Sequence, residues 1–196
     1  MSDIIKPGIM LFLITFVASA LLGTVNVMTR DTIAQNERTT KNTAMAEVLP
    51  TVRDNNFSED VLTEPAPESG VTGYNIGYDG ETVVGYVVTL KQPAYSGKMD
   101  LLVGVTADGA QVTGIKILKH SETPGLGANA EKESFRGQFA GKGGALSVTK
   151  SGNPAENEIN AIASATITST AVTNGVNAAT AFVTENLAGT KGAQTK

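Results

Sequence analysis

The chain has 196 residues, a formal net charge of −4 and no cysteine. The lack of cysteine excludes disulfides, thiolate-bound iron–sulfur clusters, a lipoprotein anchor and a C-x-x-C-H haem site within this sequence. The acidic balance gives no indication of nucleic-acid binding. Beyond its apolar N-terminal segment, the sequence is long enough for one domain of ordinary size.

The first element is an apolar segment from Pro7 to Thr29 that contains no charged residue. At about 1.5 Å per residue, a helix of this length spans the roughly 30 Å hydrocarbon layer of a membrane. A cleaved signal peptide is the alternative, since Ala18-Ser19-Ala20 resembles a cleavage site. The apolar run continues past that site and little positive charge precedes it, which favours an uncleaved anchor. The flanking basic residues alone would place the C-terminal part in the cytoplasm.

Residues 30–70 are predicted to form a juxtamembrane helix and a linker. The first part, up to Leu49, has the sparse apolar positions of a mostly polar helix, which Pro50 is expected to end. The second part contains the run Pro65-Ala66-Pro67 and clustered acidic residues, a composition typical of linkers. We therefore interpret the whole span as a stalk and expect the folded domain to begin at Val71.

Two consecutive β-hairpins are predicted next. Asp79-Gly80 and Asp108-Gly109 each separate two short segments of β-type composition. An Asp-Gly pair between such segments is a strong hairpin signal, because both residues tolerate the positive φ of a tight turn. The four strands are expected at residues 73–78, 82–90, 101–106 and 111–118.

The rest of the chain is predicted to add helices to this sheet. Residues 131–139 show a weak helical pattern, residues 145–149 a short strand and residues 168–187 a strong helix. This order predicts an α+β domain over residues 71–188, with helices packed on an antiparallel sheet. Residues 189–196 are expected to be a flexible tail.

A loop with special backbone requirements follows the second hairpin. It reads Glu122-Thr123-Pro124-Gly125-Leu126-Gly127. Proline and two glycines specify a tight path whose backbone can approach a flat ring closely, and a simple turn with a solvated Glu122 is the alternative. His120 is the sole histidine of the sequence, so no metal site is predicted around it. A surface-loop position is favoured over a role as a proton carrier.

A hydroxyl-rich run, residues 164–170, precedes the strong helix. A hydroxyl of Thr168, Ser169 or Thr170 is expected to cap the first turn of the helix, and Gly189 is a natural stop. The N-terminus of a helix presents free amides and a positive dipole end, which favour a phosphate group. The alternative is that these residues serve only as cap and turn. The apolar face of the helix is predicted from a spacing of three and four at Val172, Val176, Ala179, Val183 and Leu187.

These two motifs together resemble those of the FMN-binding domain family of electron-transfer subunits. The family's flavin-attachment motif, Ser/Thr-Gly-Ala-Thr, corresponds to Ala163-Ser164-Ala165-Thr166, and residues 122–127 match a signature loop. The chain is similar to G subunits of the Rnf complex, a ferredoxin:NAD oxidoreductase that couples electron transfer to Na⁺ or H⁺ movement. Family members commonly carry Asp six residues before the attachment Thr, and this chain has Asn160 there.

The resemblance implies a membrane-anchored electron carrier with FMN joined to Thr166 by a phosphoester. It implies an electron-transfer role within a translocating oxidoreductase, with no substrate chemistry of its own. It further implies a short cytoplasmic N-terminus at residues 1–6, a flavin domain outside the cytoplasm, contacts with the other Rnf subunits and the bilayer, and maturation by a flavin transferase. The other residues expected at the flavin are Tyr95, Glu122, Thr123, Pro124, Gly125, Leu126, Gly127, Ser164, Ala165, Thr168 and Ser169.

Other functions stay open at this point. The C subunit of the Na⁺-translocating NADH:quinone reductase shares the domain but is typically longer before it, so the length of this chain favours Rnf. A free-standing flavinylated extracytoplasmic carrier is a further alternative. An anchored binding module without a redox role is the alternative of another class.

Overall fold

The computed structural model describes residues 2–62 and 69–188. The chain divides into two compact units after Lys41. Helix α1, Ser2–Val48, makes up the first unit and continues into the second. Between the predicted membrane segment and the predicted juxtamembrane helix there is no break, because no proline or glycine lies between Thr29 and Val48 to interrupt the hydrogen bonds. The helix ends at Val48, close to the stop expected at Pro50.

The first unit has the properties of a membrane-spanning helix. The most apolar stretch of α1 has a mean hydropathy of 2.3, and none of it is buried within the protein. The hydroxyls of Thr15, Thr24 and Thr29 donate to the carbonyl oxygens four residues earlier. These bonds satisfy polar groups that would otherwise meet hydrocarbon without a partner. By length and composition, α1 is therefore able to span a membrane.

The second unit is built on a five-stranded antiparallel sheet in which each strand pairs with the next along the chain. Both predicted hairpins are present, and three of the four predicted strands extend by several residues because their pairing continues beyond the alternating segments. Gly80 adopts a φ of 61° in the first turn and Gly109 a φ of 75° in the second, as the Asp-Gly signal requires. The strands are β1 (Val61–Leu62), β2 (Val71–Asp79), β3 (Thr82–Ala94), β4 (Gly97–Thr106) and β5 (Val112–Lys119).

One face of this sheet is covered by helix α3, Thr166–Asn186. Gly175 lets the helix approach closely, because a Cβ there would come within 2.9 Å of Gln92 and Leu101 side-chain atoms. The predicted apolar face of the helix is confirmed, and its residues within α3 are buried. The largest buried contributors to this main core include Leu90, Met99, Leu101, Val103, Phe139, Ile159, Val172 and Val176.

The other face of the sheet receives the end of α1. Val48 and Leu49 lie over four glycines in β2, β3, β4 and β5, which we call the glycine saddle: Gly77, Gly85, Gly104 and Gly114. A Cβ at Gly104 would clash with the carbonyl oxygen of Val48, so only glycine leaves room for the chain. The hydroxyl of Thr113 donates to that same oxygen. A second core results, formed by Ala44, Met45, Val48, Leu49, Val87 and Leu102.

The predicted stalk over residues 30–70 is therefore wrong for residues 42–62. The hydroxyl of Ser58 accepts a hydrogen bond from the Ile76 amide, Phe57 forms a β-bridge with Gly77, and β1 pairs with β2. These contacts place residues 42–62 within the folded unit, ahead of the expected start at Val71. The Pro65-Ala66-Pro67 run, the stop at Gly189 and the tail at 189–196 lie outside the described residues.

The segment between β5 and α3 differs most from expectation. The helix predicted at 131–139 is instead a 3₁₀-helix, Gly127–Glu131, followed by the single-turn helix α2, Glu133–Arg136. The strand predicted at 145–149 is β6, Ser147–Thr149, and it pairs in parallel with β7, Glu158–Asn160. Strand β7 escaped prediction because three residues are too few to show a period.

Candidate functional site

A cavity of about 350 Å³ opens at the start of α3, where four segments of the second unit meet. These are the turn after β3, the loop at 122–127, the turn at 164–165 and the first turn of the helix. A cavity of this size lies in the range that binds small molecules and cofactors. Its lining residues are Tyr95, Glu122, Thr123, Leu126, Gly127, Ser164, Ala165, Thr166, Ile167 and Thr168.

The start of α3 leaves free amides at this cavity. The helix begins at Thr166, two residues earlier than predicted, and its N-cap residue, Ala165, offers no side-chain hydrogen bond. The predicted capping by Thr168, Ser169 or Thr170 is wrong, because all three lie inside the helix. Within the described ranges, the amides of residues 166–168 have no hydrogen-bond acceptor. Free amides and the positive end of the helix dipole together suit an anionic group.

Thr166 lies at the wall of the cavity as the first residue of α3. Its side chain is half-buried, and across the described part of the chain its hydroxyl has no hydrogen-bond partner. Ser164, two residues before it, adopts a φ of 60°, a left-handed conformation that is uncommon for residues with a side chain. This turn brings the chain into the helix with Thr166 facing the cavity.

Glu122 connects three of the four segments. Its Oε1 accepts a hydrogen bond from the Ser96 amide at 2.7 Å, and its Oε2 accepts one from the Thr168 hydroxyl at 2.5 Å. Only 6% of the residue is exposed. The alternative of a solvated Glu122 is therefore wrong. A Cβ at Gly127 would lie 2.1 Å from Oε2, so the second glycine of the loop makes room for this carboxylate.

His120 supports the loop from outside the cavity. Its Nδ1 accepts a hydrogen bond from the Glu122 amide at 3.0 Å, and its Nε2 lies 3.1 Å from a carboxylate oxygen of Glu131. Its side chain is largely buried, with 15% exposed. His120 lies in a loop, as expected, but its side chain is not freely exposed, because both ring nitrogens are engaged in holding the chain in place. No group of three or more potential metal ligands occurs among the described residues.

Three predicted flavin contacts do not line the cavity. Pro124 and Gly125 are exposed and are not among the residues that line the cavity. Ser169 is fully buried, where its hydroxyl accepts from the Ile162 amide and donates to the Ala165 carbonyl. It therefore shapes the turn before α3 without reaching the cavity. The other predicted residues, Tyr95, Glu122, Thr123, Leu126, Gly127, Ser164, Ala165, Thr166 and Thr168, are brought together at the cavity.

Ile167 lines the cavity although it was not predicted. It is 58% exposed, and Tyr95 and Leu126 are also exposed at the same cavity. Large apolar side chains at a cavity rim are suited to contact a flat apolar ring. A signal was present in the sequence, because Ile167 is a large apolar residue off the predicted core-facing side of the helix.

The site lies inside a region that matches a known family. A family model described as the FMN-binding domain matches residues 94–181, and a model of the RnfG N-terminal region matches residues 1–48. The cavity fits such a cofactor, since free amides and an unbonded hydroxyl are suited to its phosphate and the apolar rim to its ring.

The chain is also similar to individual proteins over most of its length. The chain is 38% identical to the G subunit of the Na⁺-translocating ferredoxin:NAD⁺ oxidoreductase complex of Acetobacterium woodii, covering 89% of this chain and 88% of that protein. It is 35% identical to the G subunit of an ion-translocating oxidoreductase complex of Methanosarcina acetivorans, covering 92% and 95% respectively. A solved structure of the C subunit of the Na⁺-translocating NADH-quinone reductase from Parabacteroides distasonis has a TM-score of 0.63 at 19% identity, covering 83% of this chain and 98% of that one. This last similarity concerns the fold alone.

Proposed function

The chain belongs to the family of G subunits of ion-translocating oxidoreductase complexes, and on that premise we propose that it is the membrane-anchored flavoprotein of such a complex and relays electrons between its partners. The observation that carries the proposal is the free Thr166 hydroxyl at the open N-terminus of α3, within the FMN-binding match. The family favours this role over that of a quinone-reductase C subunit, whose similarity is limited to the fold.

FMN is the proposed cofactor, joined to Thr166 by a phosphoester. The hydroxyl oxygen has no competing hydrogen bond in the described residues, so it is available to a flavin transferase. The free amides of residues 166–168 would then donate to the phosphate oxygens, an arrangement that recurs at helix N-termini. The exposed side chains of the rim, those of Tyr95, Leu126 and Ile167, would contact the isoalloxazine.

The protein's own residues orient and tune the cofactor. Bound flavin supplies reversible electron transfer, and the surrounding protein supplies position and electrostatics. The 122–127 loop is held to α3 through Glu122 and Thr168, so the cavity walls do not depend on the cofactor for their arrangement. The protein acts as an oxidoreductase only within its complex, where the other subunits exchange electrons with it and ion movement occurs.

The anchor places this carrier at a membrane. Helix α1 would cross the bilayer once, with a short N-terminus in the cytoplasm and the flavin domain outside it. A covalent link suits that side, where lost FMN is not easily replaced. Its partners are the other subunits of the complex, the bilayer and, during maturation, the flavin transferase.

The attachment site can be tested with the full-length chain co-expressed with a flavin transferase. We expect the denatured wild-type protein to give a fluorescent flavin band on a gel, because a phosphoester survives denaturation. Thr166→Ala removes the nucleophilic oxygen and should abolish the band. Thr170→Ala is the matched control, because it removes an exposed hydroxyl one turn further along that does not line the cavity.

The possible failures separate the parts of the proposal. A fluorescent Thr166→Ala band would show that the flavin is attached elsewhere, with the electron-relay role intact. A wild-type band without fluorescence would contradict covalent flavin. Absence of any bound FMN in the native wild-type protein would support a binding module without redox function.

A further inference from the structure

Glu122 carries the sole formal charge among the side chains that line the cavity. Every other lining residue is apolar, a glycine or a neutral hydroxyl. Within the described parts of the chain, no Lys, Arg or His forms an ion pair with Glu122. The cavity wall is therefore a site with one buried negative charge and no compensating cation.

The contacts of Glu122 are those of a carboxylate. Each oxygen accepts one hydrogen bond, from the Ser96 amide and the Thr168 hydroxyl. Both donors are neutral, so they stabilise the charge without cancelling it. Water reaches the group poorly, since 6% of the residue is exposed. A charge in such a position acts on its neighbours more strongly than one at the surface.

We propose that Glu122 lowers the reduction potential of the flavin held in this cavity, an inference that rests on the proposed function. One electron delivered by a one-electron donor adds one negative charge to the ring system when no proton accompanies it. That charge and the Glu122 carboxylate repel each other, so the reduced form is disfavoured. The electron donor that this site accepts must then be a stronger reductant than one able to reduce the same bound flavin without the Glu122 charge.

The variant Glu122→Gln removes the negative charge and keeps the geometry of the site nearly unchanged. The amide has nearly the same shape, its oxygen still accepts from the Ser96 amide, and its NH₂ group donates to the Thr168 hydroxyl oxygen. At an effective dielectric constant of about 20, a unit charge within about 10 Å changes an equilibrium constant by about tenfold. We therefore expect the flavin potential to rise by about 59 mV for a one-electron couple.

A second variant, Thr168→Val, is expected to shift the flavin potential in the opposite direction. Thr168→Val keeps the shape of the side chain but removes the hydroxyl that donates to Oε2. The carboxylate then loses one stabilising donor and repels the added electron more strongly, so the potential should fall. A purely structural role for Glu122 would leave the potential nearly unchanged in Glu122→Gln, which keeps both contacts, because only Thr168→Val removes one of them.

The measurement is a spectroelectrochemical titration of the flavin-loaded, full-length protein in detergent. Glu156→Gln is the matched control, because it removes an exposed acid that does not line the cavity, and its potential should equal that of the wild type. Opposite shifts in Glu122→Gln and Thr168→Val support the inference. Unchanged potentials, or shifts of the same sign, overturn it while the proposed function stands. A wild-type chain that takes up no FMN overturns the proposed function and this inference with it.

Discussion

Ser164 explains a departure from the flavin-attachment motif that the sequence resembles. The motif has glycine two residues before its last threonine, and this chain has Ser164 there with a φ of 60°. A left-handed conformation costs an L-residue roughly 1–2 kcal/mol, and glycine adopts it freely. The turn thus requires a backbone conformation rather than a glycine as such, and serine is small enough to adopt it in an exposed position.

Replacing Ser164 should change the stability of the fold according to how well the new residue tolerates a positive φ. Ser164→Gly removes the strain but adds freedom to the unfolded chain, so we expect a gain of at most about 1 kcal/mol. Ser164→Val should destabilise by about 1–2 kcal/mol, since β-branched residues tolerate positive φ least. Ala163→Gly is the control, because that neighbouring residue has no positive φ and gains nothing from glycine. Urea unfolding of the full chain in detergent measures the differences, and equal stability for glycine and valine would contradict the argument.

Glu122 is a residue whose position could be predicted from the sequence but whose environment could not. Its place in the 122–127 loop could be predicted, because proline and glycines mark an unusual backbone. Its burial could not, since glutamate is almost never fully buried unless it has partners. Those partners, the Ser96 amide and the Thr168 hydroxyl, lie 26 and 46 residues away, and their approach depends on the whole fold.

At the scale of elements, an ion-pair cluster fixes the end of α1 to the sheet. Glu47 accepts hydrogen bonds from Lys116 of β5 and from Arg136 of α2 at 2.5 and 2.8 Å. The hydrogen bond from Lys116, followed by that from Arg136, holds the pKa of the Glu47 carboxyl below its ordinary value of 4.5. One carboxylate therefore connects three elements that are far apart in the sequence.

This cluster predicts a pH-dependent contribution to stability. A carboxyl group whose pKa is lowered in the folded state stabilises the fold above its unfolded pKa, and the effect is lost as the pH falls through the folded value. The side chain is 42% exposed, so solvent screening limits the contribution to about 0.5–1 kcal/mol. Glu47→Gln should be less stable than the wild type by this amount at pH 7. The two unfolding curves should converge once the pH is well below 4.5.

The matched control for this cluster is Glu156→Gln, which changes the charge equally at an exposed position without an ion pair among the described residues. A Glu47→Gln deficit that persists unchanged into acid would mean that packing, rather than charge, holds this contact.

Elements with a strong local signal could be predicted and the others could not. The hairpins of β2 to β5 follow from Asp-Gly pairs between alternating segments. The start of α3 was placed two residues late, because hydroxyls usually mark an N-cap and here the cap is Ala165. The docking of α1 depends on the glycine saddle, whose four glycines come together only once the strands pair. A single glycine within a strand does not indicate that another element of the fold packs over it.

At the scale of the whole molecule, membrane topology is the open prediction. Helix α1 is long and apolar enough to span the bilayer, but the basic residues that flank its apolar part favour the cytoplasm for the C-terminal side. Family membership favours the opposite side. The charge rule is weak here, because few basic residues lie on either side.

Reporter fusions to the C-terminus of the full chain decide between the two orientations. We expect an alkaline phosphatase fusion to be active, since this enzyme functions outside the cytoplasm. A green fluorescent protein fusion at the same position, exported in an unfolded state, should be dark and serves as the paired control. A bright fluorescent fusion with an inactive phosphatase would place the flavin domain in the cytoplasm and remove the argument that the covalent link prevents loss of FMN.

The position of Thr166 on α3 bears on the distance over which electrons tunnel. Helix α3 runs for 21 residues and is buried against β3 and β4, so the oxygen at its first turn is fixed relative to the sheet. A flavin joined there would be held by a tether of fixed length, the phosphodiester and the ribityl chain, that starts from one fixed atom. The variation in the tunnelling gap would then come from rotation of the ring and from docking of the partner, while the attachment point itself stays still.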